Sequence, residues 1–269
     1  MRSLLLLVLL ALGMPLCAAP RVVSLAPSLT EIVVELQAAD LLVGMLDGGD
    51  RPPGLATVPS VGRYGQIDME RLLSLKPDLL LLWPGSVPAA QRDQLKRLGI
   101  ATYTAEPHGI DELIEQIEAI GVQLGRAEQG RAHAQQLRQQ VQALRTHYHR
   151  EPPLQVFYQV WDKPLYTVGG GQIVSDALAV CGARNVFADL ELPAPQISLE
   201  AVLLRNPQVI LASDQRQLDA WKAWSQVDAV RNGRLLQVPD KGLERPSGQM
   251  IGATARLCQL LETRAPVSR

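Results

Sequence analysis

Residues 68–82 read DMERLLSLKPDLLLL, and residues 198–212 read SLEAVLLRNPQVILA. Each stretch opens on a helix-capping residue, Asp68 or Ser198, whose short side-chain oxygen can accept a first-turn N–H. A glutamate follows two places later, Glu70 or Glu200, and then an apolar helical run. A proline, Pro77 or Pro207, stops the helix, and an apolar strand comes next. The run from Asp78 to Trp83 shows no apolar/polar alternation, so it reads as a strand buried on both faces. Such strands belong to parallel sheets flanked by helices. One unit used twice at a constant offset predicts two related α/β halves.

The surrounding sequence extends this pattern. Residues 21–26 form a β-branched strand ended by Pro27. Ser28 and Glu31 have the spacing of a capping box and open a helix to about Leu36. Further strands are expected at 41–46, 58–61 and 101–105, with helices at about 89–98 and 111–124. The second half repeats the scheme, with strands at 155–160, 208–212 and 235–239 and helices near 173–181, 199–204 and 249–261. The expected fold class is α/β, two related lobes with mainly parallel, doubly wound sheets. Residues 127–149 differ, being polar and rich in Gln, Arg and His. Their apolar residues Ala134, Leu137, Val141, Leu144 and Tyr148 recur every three or four places, giving one narrow helical stripe. This helix is either an ordinary surface helix or a strut between the halves, and Pro152 and Pro153 end it.

The chain has 269 residues, with 26 Lys and Arg against 27 Asp and Glu and a net charge of −1. No basic excess exists to neutralise phosphates, so nucleic acid is excluded as a main partner. Charged residues make up 20% and apolar residues 47%, the balance of a globular chain. The start, Arg2, an apolar run Leu4–Leu12, then Gly13, Pro15, Ala18 and Ala19, reads as a Sec-type signal peptide cleaved after Ala18. The run is too short to span a bilayer. A lipoprotein anchor would fall on Cys17, but Leu16 before it is bulky for such a signal. Export leaves Cys181 and Cys258, which either pair or stay reduced and buried.

The chemistry-bearing residues argue against catalysis. The four histidines, His108, His133, His147 and His149, form no ligand-spaced cluster, so no metal site is expected. Neither G-x-S-x-G nor H-E-x-x-H occurs. A periplasmic enzyme with a non-standard site is the alternative of another class. Gly169–Gly171 precedes a helix but lacks phosphate-loop spacing, so a tight turn is the preferred reading over a phosphate cradle. Aromatics are scarce, at 4%. Tyr64, Trp83, Trp161 and Tyr166 nevertheless fall at or near strand ends, where ligands of doubly wound sheets bind. Either they pack loops locally or they face a planar organic ligand in a cleft.

The segments PRVVSLAP (20–27), DMERLLSLKPDLLLLW (68–83), VCGARNVFAD (180–189), PQISLE (195–200) and ERPS (244–247) resemble the periplasmic solute-binding proteins of ABC importers. The similarity is to the class III type, whose two Rossmann-like lobes are bridged by one long α-helix, and within it to the cobalamin-binding members. The resemblance implies a signal peptide over 1–18, an N-terminal lobe over 19–124, a bridging helix over 125–151 and a C-terminal lobe over 152–269. It implies a periplasmic carrier, monomeric when free and not an enzyme. Cobalamin is its transported ligand, no cofactor is needed, and an inner-membrane ABC permease–ATPase complex is its partner. It further implies that Cys181 pairs with Cys258. Tyr64, Trp83 and Tyr166 would line the cleft, with Lys241, Gly242, Leu243, Glu244 and Arg245 as the C-lobe loop that touches the ligand. Glu70 and Glu200 would each dock one lobe on the permease. From the residues alone, those two glutamates are first-turn helix stabilisers. Gly48, Ala194 and Tyr64 depart from the cobalamin-binding members, which carry Tyr, Trp and Trp there. The alternatives within the same fold are haem, through the Tyr64 phenol, and an anionic iron-siderophore, through Arg63 and Arg245.

Overall fold

The computed structural model describes residues 19–49 and 51–263. The expected signal peptide and Cys17 lie outside the described residues. The first half contains β1 (Val22–Ser24), α1 (Pro27–Glu35), β2 (Leu42–Asp47), β3 (Ser60–Arg63), β4 (Gln66–Ile67), α2 (Met69–Ser74), β5 (Leu79–Leu82), α3 (Ala89–Arg97), β6 (Ala101–Thr104) and α4 (Ile110–Gln123). Its strands order as β4-β3-β2-β1-β5-β6, all parallel except the β3–β4 pair. Helix α5 (Ala127–His147) leads to the second half. There lie β7 (Leu154–Asp162), β8 (Leu165–Thr167), α6 (Ile173–Val180), β9 (Ala183–Asn185), α7 (Leu199–Arg205), β10 (Val209–Ala212), α8 (Gln215–Trp221), α9 (Asp228–Arg231), β11 (Leu235–Gln237) and α10 (Gln249–Thr263). Here β11, β10 and β7 run parallel, and β7 pairs beyond them with β9 at one end and β8 at the other.

The internal repeat is structural. Asp68 accepts the Arg71 N–H at 2.9 Å and Ser198 accepts the Ala201 N–H at 3.2 Å, so both caps form. The residue before each proline, Lys76 or Asn206, takes a positive φ of 45° or 41°. That left-handed residue ends the helix and lets the chain turn back into the sheet. Strands β5 and β10 follow, buried along their whole length.

The pleat of these strands divides the apolar residues between layers. Leu79 and Leu81 of β5, with Val209 and Leu211 of β10, face one core that also takes in residues of α1, α4, α5, α6 and α10. Leu80 and Leu82 face a second cluster with Leu72 and Leu95. Ile210 and Ala212 face a third with Val202 and Trp221. One face of each sheet therefore belongs to a single apolar body shared by the two halves. Helix α5 presents Ala134, Leu137 and Val141 to it, the expected stripe. At 21 residues α5 is about 32 Å long, enough to run beside both sheets. Gly121 and Gly130 let α4 and α5 close on each other: a Cβ at Gly121 would stand 2.8 Å from the Gly130 Cα. Cys181 and Cys258, both fully buried, form a disulfide between the end of α6 and α10. It closes a separation of 77 residues, a constraint on the unfolded chain of about 4 kcal/mol in the loop-entropy account.

Local expectation fails at α1. Pro27 is the first helical residue, Ala26 is the N-cap, and no side chain caps the helix, so the Ser28/Glu31 capping box does not form. Proline at this position is tolerated because its missing N–H would have had no intrahelical partner. Glu31 is thereby free to point away from its own helix. It accepts bonds from Arg245 Nη1 at 2.9 Å and Ser247 Oγ at 2.8 Å. One turn later, Glu35 accepts the Gly248 and Gln249 N–H groups at 3.0 and 3.2 Å and meets His133 Nε2 of α5 at 3.3 Å. A carboxylate from the first half thus caps the N-terminus of α10 in the second. On the other flank, Asp176 of α6 accepts the Ile110 N–H at 2.7 Å. Short polar elements also escaped sequence reading: β4, β8, β9, α8 and α9 carry too few apolar residues to show a period.

Replacing Glu35 by Ala should destabilise the protein by about 2 kcal/mol in urea unfolding, the range of a lost helix cap. Glu115→Ala, on the exposed face of α4, should change stability by less than about 0.5 kcal/mol.

Candidate functional site

The carboxyl ends of both parallel sheets carry the residues singled out in the sequence. On the first sheet, Pro27 follows β1, Gly48 and Gly49 follow β2, Tyr64 follows β3, and Trp83 and Gly85 follow β5. The rings of Tyr64 and Trp83 lie 6.0 Å apart at 54°. Three bonds hold this pair in place. Gly65 N–H donates to Ser86 O at 3.0 Å, tying the Tyr64 turn to the Trp83 turn. Ser86 Oγ donates to the carbonyl of Leu25 and, at 2.8 Å, to that of Trp83. Tyr64 is 60% exposed, so a large flat surface faces solvent from a fixed support. Trp83 is half-buried and shares a narrow crevice with Ile32 of α1 and Pro246 of the second half.

On the second sheet, Tyr166 stands on β8 opposite Trp161 of β7 and bridges to Gln196. Trp161 is 57% exposed, and its Nε1–H donates to Lys163 O at 3.2 Å. The 241–245 segment follows β11. Asp240 opens it, accepting the Gly242 N–H at 2.7 Å and pairing with Arg256 of α10. The Gly242 N–H is the main influence holding the Asp240 carboxyl below its usual range, and Arg256 adds to it. Lys241 and Glu244 are exposed, but Leu243 is fully buried in the shared core. Its side chain anchors the segment in that core. Glu244 accepts the Tyr158 hydroxyl at 3.3 Å. Burial, reinforced by the Glu244 carboxylate, pushes the Tyr158 phenol well above the ordinary range, so it stays a neutral donor.

Arg245 reaches across to the first half. Besides its bond to Glu31, its other terminal nitrogen lies 2.9 Å from where a Cβ on Gly49 would stand. A Cβ on Gly48 would come within 2.4 Å of Pro27 Cγ. The missing aromatic at 48 is therefore replaced by backbone packed on Pro27. Arg63 is bound to Gln66 Oε1 at 3.0 Å within its own hairpin. Of these two arginines, Arg245 is paired with a carboxylate and Arg63 with a neutral amide. Glu70 and Glu200 are exposed in the first turns of α2 and α7, the matched positions of the repeat. Backbone bonding, with help from Ser198, holds the Glu200 carboxyl below its usual range. Among the described residues, no group of three or more His, Cys, Asp or Glu can hold a metal ion, and no helix is long and apolar enough to cross a membrane.

Residues 22–241 match the family model described as periplasmic binding protein. The chain belongs to this family. The vitamin B12-binding protein of Vibrio cholerae serotype O1 is 35% identical over 247 residues, which cover 91% of this chain and 90% of that one. The vitamin B12-binding protein of Yersinia pseudotuberculosis is 35% identical over 259 residues, 96% of this chain and 92% of that one. Among solved structures, the periplasmic vitamin B12 binding protein BtuF of Vibrio cholerae superposes with a TM-score of 0.82 at 34% identity, covering 91% of this chain and 98% of that one. The periplasmic heme-binding protein RhuT of Roseiflexus shares the fold, with a TM-score of 0.77 at 22% identity over 92% of this chain and 100% of that one. This periplasmic binding protein is a solute-binding protein and not an enzyme.

The residues that brace the site went unrecognised in the sequence. Glu31 and Glu35 sit one turn apart and flank the apolar run Ile32–Val34. Two carboxylates on one face of such a helix are the signal that a polar partner must meet them.

Because the Asp240 carboxyl titrates below its ordinary value of 3.8 in the folded protein, it contributes stability above that pH. The contribution is lost as pH falls through the depressed folded value. Asp240→Asn should therefore flatten the acid limb of the stability profile below pH 3.8 while leaving its slope near neutrality unchanged.

Proposed function

We propose that this chain captures cobalamin between the carboxyl edges of its two sheets and delivers it to an inner-membrane ABC permease–ATPase complex. The observation that carries the reading is 35% identity to vitamin B12-binding proteins over 91% of the chain. The exposed, braced Tyr64–Trp83 pair supports it, since a corrin presents a broad flat face to stack on. Tyr64, Trp83 and Tyr166 supply contact area, and the 241–245 segment closes the second side, through Lys241, Gly242, Glu244 and the partly exposed Arg245. In this reading the signal peptide ends at Ala18, and the lobes span 19–124 and 152–269 about the 125–151 bridge. The carrier is monomeric when free and needs no cofactor of its own. Glu70 and Glu200 dock the lobes on the permease; a first-turn carboxylate is both stabilised by its helix and free to meet a basic partner.

Calorimetric and absorbance titration of the mature, oxidised protein with cyanocobalamin should give saturable one-to-one binding, and Tyr64→Ala should weaken it about tenfold. Specific binding of haemin instead, with a tyrosinate-type spectrum lost in Tyr64→Phe, would overturn the cargo and leave the carrier role.

The double variant Glu70→Arg, Glu200→Arg should abolish cobalamin uptake by cells carrying the cognate permease, with affinity for cobalamin changed less than twofold. Loss of cobalamin binding in that variant would show that the two glutamates are not docking residues.

A further inference from the structure

Strand β7 ends in an irregularity that changes where its last residues point. Along its regular part the pleat sends alternate side chains to opposite faces. Phe157 packs on Trp221 of α8, with ring centroids 5.7 Å apart, and Tyr158 enters the core shared by the two halves. Gln159 returns to the α8 face, where its Oε1 accepts the Trp221 indole N–H at 2.6 Å. Strict alternation would put Val160 on the Tyr158 face and Trp161 back on the α8 face. The pairing with β8 shows otherwise. Gln159 stands opposite Thr167 and Trp161 opposite Tyr166, so two steps along β7 match one step along β8. This is a β-bulge, which re-aims the side chains beyond it. Directly opposed residues share a face of the sheet. Thr167 therefore shares the Gln159 face, Tyr166 takes the other, and Trp161 joins Tyr166. Alternation resumes after the bulge: Asp162, opposite Leu165, is back on the α8 side, where both line one cavity with Gln159 and Trp221.

The face that Trp161 joins is the one that meets the 241–245 segment, because Tyr158 donates its hydroxyl to Glu244 Oε1 at 3.3 Å. This end of the face is open: Val160 is 39% exposed and Trp161 57% exposed. The Trp161 N–H is spent on Lys163 O within its own hairpin, which turns the polar edge inward and fixes the ring. An unpaired ladder position and an exposed indole add little to the fold, whereas burying that ring against a flat apolar ligand gains affinity. We infer that Trp161 is a further cargo contact, carried by the bulge onto the face of Tyr166 so that the second half also presents a large aromatic ring to the corrin. The inference rests on the cobalamin reading above and adds a residue to it.

The test uses the full mature, oxidised protein and cyanocobalamin. Calorimetric titration should show Trp161→Ala weakening binding about tenfold. Asp162→Ala, the next residue but on the α8 face, should change affinity less than about twofold. Fluorine NMR of protein labelled with fluorotryptophan reads the contact directly. The resonance missing in Trp161→Phe should move when cyanocobalamin is added, while that of Trp221 stays in place. No saturable cyanocobalamin binding by the unaltered protein would overturn the cargo reading and this inference with it. Binding by the unaltered protein that Trp161→Ala leaves within about twofold, or a Trp161 resonance that does not move, would overturn this inference alone. Should Trp161→Ala fail to fold, the fluorine shift in the otherwise unaltered protein still decides.

Discussion

The Glu35 carboxylate is the point on which the relation of the two halves rests. It lies on the first helix, accepts the opening N–H groups of the last helix, and touches His133 on the helix between them. A helix N-terminus carries partial positive charge and unsatisfied donors, so a carboxylate there meets both needs at once. The fit also requires Gly248, since a Cβ at that position would lie 2.6 Å from Glu35 Oε2. One turn earlier Glu31 binds Arg245 and Ser247 in the same way. With Asp176 holding the Ile110 N–H on the opposite flank, the halves are fastened at separate places.

These ties work because the halves also share their apolar interior. Each central strand sends alternate residues to a common core built around α4, α5, α6 and α10. Wide opening of the cleft would have to break buried carboxylate bonds and expose part of that core. The expected motion on ligand capture is therefore small. A rigid cleft places its demand on prearranged side chains, and the bond between the Tyr64 and Trp83 turns meets that demand before any ligand arrives. The same wiring sets the electrostatics. Arg245 is paired with the Glu31 carboxylate, whereas Arg63 beside the aromatic wall meets only the neutral Gln66 amide.

Much of this was legible in the residues themselves. The paired segments at 68–82 and 198–212 announce cap, helix, proline stop and buried strand, and each of these is set by neighbours within a few positions. The stripe Ala134, Leu137, Val141 marks the buried side of α5 because helical period is a local property. The cap at Asp68, the ends of β5 and β10 and the placement of aromatics beyond strand ends follow from the same short-range rules. Where the rules were ambiguous, as with Ser28 and Glu31, the local pattern misled. A capping box and a carboxylate meant for a distant partner look alike along the chain.

The sequence alone therefore determined the principal elements, their alternation, the doubling of the fold and which strand ends carry large flat side chains. Tertiary structure alone decided what Glu31 and Glu35 bind, that Leu243 turns inward, that Gly48 packs on Pro27, and that both sheets drain into one core. The physical reason is separation. Glu31 and Arg245 stand 214 residues apart, and a hydrogen bond across that distance leaves no periodic trace in either segment. Period and propensity specify which face of an element is apolar, whereas the partner on that face is chosen only when the chain has packed.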